Sequence, residues 1–326
     1  MKRAFVTGGS GFVGGRLIPV LRARGVEVAA LARSDGSASK VESLGATVVR
    51  GDLDDVKALE AGMAGCDTVF HAAAHTDQFD PVEVHMRITT QGTLNVVRAA
   101  RAAGVKRFVH VGTEAVLADG KPIVRADETR PLPKHAMGAY PLTKGLAEQA
   151  VIAANHDGLE TVVVRPRFVW GKGDTNLLPE FIEAVQAGKF AWIGGGHYLT
   201  STVHVDNVIE GLLLAADKGK PGEIYFVTDG EPVEFRAFIT KLLATQGIDP
   251  GGRKLPHWLA RTAVTLTSWM KKPPLTKTAF ALMAHEVTVD DSKARRELGY
   301  VGKKSMADGL AEMSVAARVT QVSALR

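Results

Sequence analysis

The chain has 326 residues, of which 45% are hydrophobic and 23% charged, and its formal net charge is +5. This composition is typical of a globular protein with one large domain or two modest ones. The sequence has no cluster of Lys and Arg that would predict nucleic-acid binding. It also has no run of about 18 apolar residues, so no integral membrane segment is predicted. Cys66 is the single cysteine, and the first residues read as a strand and a loop instead of a signal peptide. We therefore expect no disulfide and a cytoplasmic location.

Short apolar strands alternate with helical patterns through the first half of the chain. Strands are predicted at 4–7, 26–32, within 46–53, and at 67–74, 107–112 and 160–166. Helices are predicted at 14–24, at 88–104 and after Tyr140. Because buried parallel strands read as continuous apolar runs, this order predicts an α/β fold with a doubly wound parallel sheet, a Rossmann fold.

The composition changes after residue 166, where Gly, Trp and Pro become more frequent. A strand pattern at 223–230 predicts a return to the sheet. We expect residues 1–165 with 203–228 to form a dinucleotide-binding domain. Residues 166–202 with 229–326 then form a smaller C-terminal substrate-binding lobe.

A glycine-rich loop, TGGSGFVGG (7–15), follows the first strand. Gly8, Gly11 and Gly14 are spaced three apart, between a strand and a helix. Glycines there allow a tight turn and let a diphosphate approach the positive helix N-terminus. The predicted cofactor contacts in this loop are Gly8, Ser10, Gly11, Phe12 and Val13.

The end of the second strand indicates which dinucleotide binds. An acidic residue at this point would accept hydrogen bonds from the adenosine ribose hydroxyls. The sequence has Ala32 and Arg33 there instead. Arg33, with Lys40 seven residues later, suits a 2′-phosphate instead. NADP(H) is therefore favoured, and Asp35 keeps NAD(H) open.

The ends of the third and fourth strands supply further predicted cofactor contacts. Asp52 and Leu53 follow the third strand, where the adenine would lie, and small residues follow the fourth, where the middle of the cofactor would pass. These small residues are Ala72, Ala73 and Ala74.

Tyr140 and Lys144 are four residues apart and share one face of a predicted helix. A nearby cation favours the phenolate and should lower the pKa of Tyr140, which would make it a proton donor or acceptor nearer neutral pH. Thr113, at the end of a strand in HVGTEAVL (110–117), could hold the substrate oxygen.

TGGSGFVG, Thr113 and YPLTK together resemble the extended short-chain dehydrogenase/reductases. The resemblance covers nearly the whole chain and includes RPRFVWGKGD (165–174), STVHVDNV (201–208) and SKARRELGY (292–300). The C-terminal motifs are most similar to the branch of 3β-hydroxysteroid dehydrogenases and sterol-4-carboxylate decarboxylating dehydrogenases. The basic residues after the second strand are closer to the dihydroflavonol-reductase-like members that use NADP(H).

The resemblance implies a mechanism. Tyr140 exchanges a proton with the substrate oxygen, Thr113 hydrogen-bonds that oxygen, and Lys144 binds the nicotinamide ribose and tunes Tyr140. Pro166 and Val169 line the nicotinamide side. Many members have serine where Thr113 stands, and threonine keeps the hydroxyl.

The resemblance also implies a homodimer, formed through the helix at 88–104 and the helix that carries Tyr140. The expected activity is an NADP(H)-dependent interconversion of a ketone and a secondary alcohol. We expect a small hydrophobic molecule as the substrate, with steroid-like compounds as one candidate.

Sugar-nucleotide epimerases and dehydratases share this scaffold and remain an alternative. Dehydratases carry two acidic residues after the threonine, whereas here Glu114 is followed by Ala115. Phe168 stands where many epimerases have asparagine. Glu114 is therefore expected to be a structural or pocket-wall carboxylate.

A second alternative is a non-catalytic NADP(H)-sensing protein, although such proteins usually lack the reactive Tyr and Lys. The histidines predict no metal site, because His71 and His75 have no carboxylate partners at metal spacing. The apolar stretch 257–272 reads as core, as a lid or as a helix on a membrane surface, with core the expectation.

Overall fold

The computed structural model describes residues 1–314; residues 315–326, the end of the predicted substrate lobe, lie outside the described part. Its strands are β1 Arg3–Thr7, β2 Glu27–Ala32, β3 Thr47–Arg50, β4 Thr68–His71, β5 Arg107–Val111, β6 Ile123–Ala126, β7 Glu160–Pro166, β8 Val169–Trp170, β9 Trp192–Ile193, β10 Leu199–Thr200, β11 Val203–His204, β12 Ile224–Val227, β13 Val233–Glu234, β14 Lys254–Leu255 and β15 Val287–Val289. Its α-helices are α1 Phe12–Ala23, α2 Asp35–Ser43, α3 Val56–Met63, α4 Val82–His85, α5 Gly92–Ala102, α6 Ala139–Ala153, α7 Leu177–Gln186, α8 Val205–Lys218, α9 Phe235–Ala244, α10 His257–Thr267, α11 Lys277–Met283 and α12 Ser292–Leu298. Residues 306–314 are helical as well. A π-helix spans Met86–Gln91, and short 3-10 helices span Glu114–Leu117 and Gly194–Gly196.

Seven parallel strands form the central sheet in the order β12-β7-β5-β4-β1-β2-β3. From β1 the chain proceeds outward through β2 to β3, and from β4, on the other side of β1, it proceeds in the opposite direction through β5 and β7 to β12. This reversal next to β1 is the doubly wound Rossmann arrangement. The predicted fold class is therefore confirmed. The strand pattern at 223–230 does return to the sheet, as β12 beside β7.

Both faces of this sheet are buried. Along β1, Ala4 and Val6 face one hydrophobic cluster with α1 and α8, whereas Phe5 faces the other with α3 and α5. Successive side chains of a strand point to opposite faces, so a strand covered on both sides must be apolar throughout. This explains why the strands are continuous apolar runs in the sequence.

The helix predicted at 88–104 is divided. The π-helix Met86–Gln91 precedes the α-helix that begins at Gly92. A side chain at Gly92 would meet Leu53, because its Cβ would lie 2.7 Å from the Leu53 Cδ1. A π turn adds one residue to the helical repeat, and an apolar pattern does not reveal that addition.

The later residues add small sheets and an aromatic cluster. Strands β13, β10, β15 and β6 form a four-stranded sheet, and two two-stranded sheets are β11–β8 and β14–β9. These strands have two to four residues, too few for a readable alternation. The aromatic cluster contains Phe168, Trp170, Phe181, Trp192, Phe235 and Phe238.

The stretch 257–272 is core on one face only. Ala260 and Val264 of α10 are buried, whereas Trp258 and Trp269 are exposed. The expectation that this stretch is core is therefore met by the side with Ala260 and Val264 and is wrong for the side with Trp258 and Trp269. Among the helices of residues 1–314, none has both the length and the apolar character needed to cross a bilayer.

Candidate active site

The glycine loop packs tightly against the end of β4. Gly8 has a φ of +69°, and a Cβ there would lie 2.7 Å from the Ala73 amide nitrogen. A Cβ at Gly14 would overlap the Gly8 carbonyl oxygen. Helix α1 follows directly, with Gly11 as its N-cap and no acidic residue in its first turn. The loop thus leaves a cradle of backbone beside a positive helix end, which fits a diphosphate.

The other predicted contacts lie along the same edge of the sheet. Ala72 and Ala73 follow β4 and contact the glycine loop, and Ala74 comes next. Asp52 caps the turn after β3 by accepting hydrogen bonds from the amides of residues 54 and 55. The Leu53 carbonyl accepts a hydrogen bond from Asn95 of α5. Ser10 and Val13 belong to the loop and to α1.

The two basic residues after β2 are exposed and make no ion pair within residues 1–314. Arg33 directly follows β2, and the Lys40 Cε lies 3.9 Å from the position a Cβ would take at Gly15 in α1. Asp35 is paired with Arg50, 2.7 Å away, in the first turn of α2. The acidic residue that kept NAD(H) open thus pairs with a cation of β3, and both side chains are exposed.

Tyr140, Lys144 and Glu148 follow one another at intervals of four along one face of α6. The buried Glu148 carboxylate accepts two hydrogen bonds from Arg165 of β7, at 2.8 and 2.5 Å. Such a bidentate pair fixes orientation as well as distance. The ion pair therefore sets how this face of α6 lies against the sheet.

Lys144 points into the protein. Its Nζ donates to the Val111 carbonyl at 2.6 Å and lies 3.4 Å from the His110 Nε2. Burial lowers the pKa of Lys144 to about 8, and Glu148 partly opposes this. Burial also lowers the pKa of His110, so the imidazole beside the ammonium is neutral.

Tyr140 differs from the expectation. The pKa of Tyr140 is raised to about 12, chiefly by burial and also by the Glu114 carboxylate, while the neighbouring Thr113 hydroxyl acts in the opposite direction. The Lys144 ammonium is directed at the Val111 carbonyl and does not offset this rise. The lowering predicted for the isolated Tyr–Lys pair is therefore absent in this structure.

Thr113 is connected to a buried ion pair. Its hydroxyl donates to one oxygen of Glu114 at 2.9 Å and accepts from the Ala115 amide. The other oxygen of Glu114 accepts from Arg167 at 3.0 Å, and Arg167 also donates to the Leu282 carbonyl. A substrate oxygen at Thr113 must therefore compete with Glu114 for the hydroxyl proton.

A hydrogen-bonded chain runs behind the glycine loop. The Thr7 hydroxyl lies 2.6 Å from His71 Nδ1, and His71 Nε2 lies 2.8 Å from the Thr93 hydroxyl. Thr93 donates to the Thr89 carbonyl, so it accepts from Nε2–H, and Nδ1 accepts from Thr7. The Ala73 amide donates to Thr7. Burial lowers the pKa of His71 to about 3, which keeps this imidazole neutral.

The predicted nicotinamide-side residues flank a backbone bend. Pro166 ends β7 and Val169 begins β8. Between them Phe168 has a φ of +46° and lies in the aromatic cluster. The N-cap of α6, Gly138, has a φ of +123°, and a Cβ there would overlap the Thr278 hydroxyl of α11. Helix α11 therefore lies over the start of the helix that carries Tyr140.

The structure also brings His204, Asp206 and Glu312 within metal-ligand spacing. Both carboxylates already pair with cations, Asp206 with Arg16 at 2.5 Å and Glu312 with Lys304 at 2.7 Å. His204 Nδ1 accepts from the Asp206 amide. Each carboxylate thus has a cation partner, whereas His204 Nε2 has no hydrogen-bond partner among the described residues.

Residues 5–257 match the model of the 3-beta hydroxysteroid dehydrogenase/isomerase family. This is more than three-quarters of the chain, and it includes the glycine loop, Thr113, Tyr140 and Lys144. The chain belongs to this family. It is an NAD(P)-dependent oxidoreductase of the extended short-chain dehydrogenase/reductase class that acts on CH–OH groups.

Alignments with individual relatives cover nearly the whole chain. It is 50% identical over 316 residues to a 4-hydroxy-2-methyl-3-oxo-4-farnesyl-3,4-dihydroquinoline-1-oxide ketoreductase of Stigmatella aurantiaca, with 94% of each chain covered. It is 32% identical to a decarboxylating sterol-4-alpha-carboxylate 3-dehydrogenase of Dictyostelium discoideum, with 96% of this chain and 100% of the relative covered. A structure of a double mutant of the dTDP-glucose 4,6-dehydratase DesIV from Streptomyces venezuelae, with NAD and DAU bound, matches with a TM-score of 0.78, 26% identity and 97% of each chain covered.

Two features of this family member were missed by reasoning from sequence. Arg167 is the partner of Glu114, and its only signal is a second arginine in RPRFVW, after the strand end. His71 and His110 occupy the same register position in adjacent strands. Their signal is a histidine near the end of each of two apolar strands; of the two, only His71 was weighed in the sequence, as a metal ligand.

Proposed function

We propose that this protein uses NADP(H) to interconvert a ketone and a secondary alcohol on a hydrophobic substrate, with Tyr140 as the proton donor and acceptor. The observation that carries the proposal is that Tyr140, near the start of α6, lies close enough to the Thr113–Glu114 pair after β5 for both residues to shift its pKa. Lys144 is one turn further along α6. Hydroxyl groups at the carboxyl end of a doubly wound sheet stand where ligands of this fold bind.

The protein residues divide the work in reduction. When bound, the nicotinamide supplies the hydride-transfer chemistry. Tyr140 donates its hydroxyl proton to the substrate oxygen, and its raised pKa keeps that proton in place until the oxygen becomes basic. Thr113 hydrogen-bonds the same oxygen. Lys144, with a pKa of about 8, is a buried group that can release a proton near neutral pH.

The cofactor residues proposed are those around the glycine loop. The cradle at Gly8, Gly11 and Gly14 fits the diphosphate, and the unpaired Arg33 and Lys40 provide positive charge for a 2′-phosphate. The domain division proposed follows from this, with residues 1–165 and 203–228 binding cofactor and the remainder binding substrate.

The substrate class rests on the relatives. Two of them are named for a farnesyl-bearing quinoline oxide and for a sterol carboxylate. Both are large, mainly apolar molecules that carry an oxygen substituent on a ring, and we propose a substrate of this kind. Turnover of sugar nucleotides by elimination is disfavoured, because Glu114 is held by Arg167 and the next residue is the buried Ala115.

A panel of apolar ketones and alcohols, followed by nicotinamide absorbance, tests the proposal. Tyr140→Phe should bind NADPH normally and lose about 10²-fold or more in turnover. Thr113→Val should also be slow, whereas Thr113→Ser should keep most activity because it keeps the hydroxyl. Tyr225→Phe is the matched control, since the Tyr225 hydroxyl contacts Lys220 and Glu297 instead.

Two results would overturn the proposal. One is a folded, NADPH-binding Tyr140→Phe protein with the wild-type rate. The other is turnover of nucleotide sugars by a protein that ignores every apolar ketone in the panel.

A further inference from the structure

Helix α10 presents an apolar face that nothing covers within residues 1–314. Trp258 and Leu266 on this face are 68% and 67% exposed, and Trp269, just beyond the helix end, is 83% exposed. Positions 258, 262 and 266 lie on one side of a helix, since each is one turn from the next. The opposite side carries the buried Ala260 and Val264. The uncovered face, 258–270, also includes exposed Leu259 and Met270, and we call it the tryptophan face.

Positive charges flank the tryptophan face along the chain. Residues 250–285 contain six Lys and Arg side chains and no Asp or Glu. All six are exposed, and none forms an ion pair in the described part of the chain. They are Arg253, Lys254, Arg261, Lys271, Lys272 and Lys277. This segment therefore combines apolar area with positive charges that form no ion pair among the described residues.

A third aromatic side chain, from another segment, lies beside this surface. The Lys272 ammonium lies 5.9 Å from the ring centroid of Phe79, which is itself 47% exposed. Phe79 comes from the loop after β4, so two distant segments contribute apolar groups with cations beside them. Scattered single apolar residues are ordinary on a surface, whereas a contiguous group rimmed by polar residues indicates a binding face.

We propose that the tryptophan face docks on the surface of an anionic lipid bilayer. Tryptophan has an apolar body with a polar N–H and is stable at the level of the lipid head groups. The basic side chains would lie against the lipid phosphates, where each contributes to binding. Helix α10 has 11 residues, too few to span a bilayer, so it would lie in the plane of the interface.

The position of α10 gives this docking a use. Helix α10 packs on α11 through a cluster that contains Val264 and Phe280. Helix α11 in turn lies over Gly138, two residues before Tyr140. An apolar substrate dissolved in the bilayer would thus enter beside the reactive helix. This use rests on the proposed function, whereas the docking itself does not.

Tryptophan fluorescence of the full chain with lipid vesicles tests the docking without any substrate. The protein has four tryptophans, and Trp170 and Trp192 are buried. A blue shift and quenching by brominated acyl chains therefore report on Trp258 and Trp269. We expect both effects with vesicles of phosphatidylglycerol and phosphatidylcholine, a much smaller effect with phosphatidylcholine alone, and reversal by salt.

Vesicle co-sedimentation compares the variants. Trp258→Ser with Trp269→Ser should weaken binding at least about tenfold by removing apolar area. Lys271→Glu with Lys272→Glu should weaken it by a similar factor. Lys57→Glu with Lys241→Glu, two exposed lysines on α3 and α9, makes the same charge change elsewhere and should have little effect.

The proposal fails if the protein stays in the supernatant with anionic vesicles, or if the control lysine pair matters as much as Lys271 and Lys272. It also fails if Trp258 and Trp269 become shielded as protein concentration rises without lipid, which would identify a second copy of the chain as the partner. Soluble ketone turnover should be unchanged in every one of these variants. Loss of turnover with Tyr140→Phe therefore remains a separate test of the reaction.

Discussion

Arg167 and Glu114 form a buried ion pair in which the guanidinium Nη1 lies 3.0 Å from the carboxylate Oε1. The second carboxylate oxygen accepts the hydroxyl proton of Thr113. Arg167 also donates to the Leu282 carbonyl of α11. The pair therefore joins the proposed oxygen-binding hydroxyl to the segment that covers the site, and Glu114 serves a positioning role.

Glu114→Gln should destabilise the protein because it leaves the buried Arg167 cation without its partner. Removing one member of a buried ion pair costs roughly 3–5 kcal/mol. Glu114→Gln with Arg167→Met should cost less than the sum of the two single variants, as denaturant unfolding can measure. Additive losses would show that the two side chains do not act as a pair.

The ionisation of Tyr140 should respond to the same carboxylate. Because Glu114 raises the pKa of Tyr140, Glu114→Gln should let the phenol ionise at lower pH than in the wild type. Tyrosinate absorbance, taken as the difference from the matching Tyr140→Phe background, measures this. Glu128→Gln is the control, since Glu128 accepts from the Phe226 amide in another part of the molecule. An unchanged Tyr140 titration in Glu114→Gln would contradict the electrostatic argument.

Cofactor choice should depend on Arg33. A hydrogen bond to a charged group contributes about 1.5–3 kcal/mol, so Arg33→Ala should weaken NADPH binding by roughly tenfold or more and leave NADH binding unchanged. Fluorescence titration of both nucleotides measures this. Arg296→Ala removes an exposed arginine on α12, outside the predicted cofactor contacts, and should not discriminate between them. Equal affinities of the native protein for NADPH and NADH would contradict the proposed role of Arg33.

Acid should destabilise the protein partly through His71. The pKa of His71 is lowered from 6.5 to about 3 in the folded state. Between these values the unfolded chain binds a proton that the folded protein does not, so stability falls as the pH falls through this window. One such proton contributes a slope of up to about 1.4 kcal/mol per pH unit.

His71→Gln should therefore make stability less dependent on pH between about 6 and 4, because glutamine does not titrate there and can bond both threonines. Denaturant unfolding at several pH values gives the slope. His156→Gln removes an exposed histidine and should keep the wild-type slope. The same slope in His71→Gln as in the wild type would mean that His71 already takes up a proton in the folded protein.

The close packing of the glycine loop gives a steric prediction. A methyl group at Gly14 would overlap the Gly8 carbonyl, so Gly14→Ala should shift the loop and reduce both stability and NADPH affinity. Gly36→Ala is the control, because a Cβ at that helical position meets nothing within 4 Å. There the loss of unfolded-state freedom should leave stability equal or slightly higher. NADPH binding by Gly14→Ala at wild-type strength would argue against the loop as the diphosphate cradle.

The parts that the sequence could predict depend on neighbours along the chain. The strands, the turn at Gly8 and the shared face of Tyr140 and Lys144 follow from local spacing. The Glu114–Arg167 pair joins residues 53 apart, and the chain from Thr7 through His71 to Thr93 joins three elements. No local pattern encodes such pairings, because they exist only once the strands are aligned.

The orientation of α10 shows a different limit. Both of its faces carry apolar residues, so periodicity alone cannot say which face packs inward. The small Ala260 and the β-branched Val264 allow close approach to Phe280, and the larger Trp258 and Leu266 are left outside. Packing volume decided the orientation, and volume depends on residues from several segments.

The contact between Gly138 and Thr278 links the first turn of α6 to α11. A side chain at position 138 would occupy the space of the Thr278 hydroxyl. A larger side chain at one of these two positions therefore requires a smaller one at the other. A chimera that takes residues 277–283 from a relative with a larger side chain at 278 would displace the start of α6 and with it Tyr140. Exchanges intended to change substrate range should therefore carry residues 138 and 278 together.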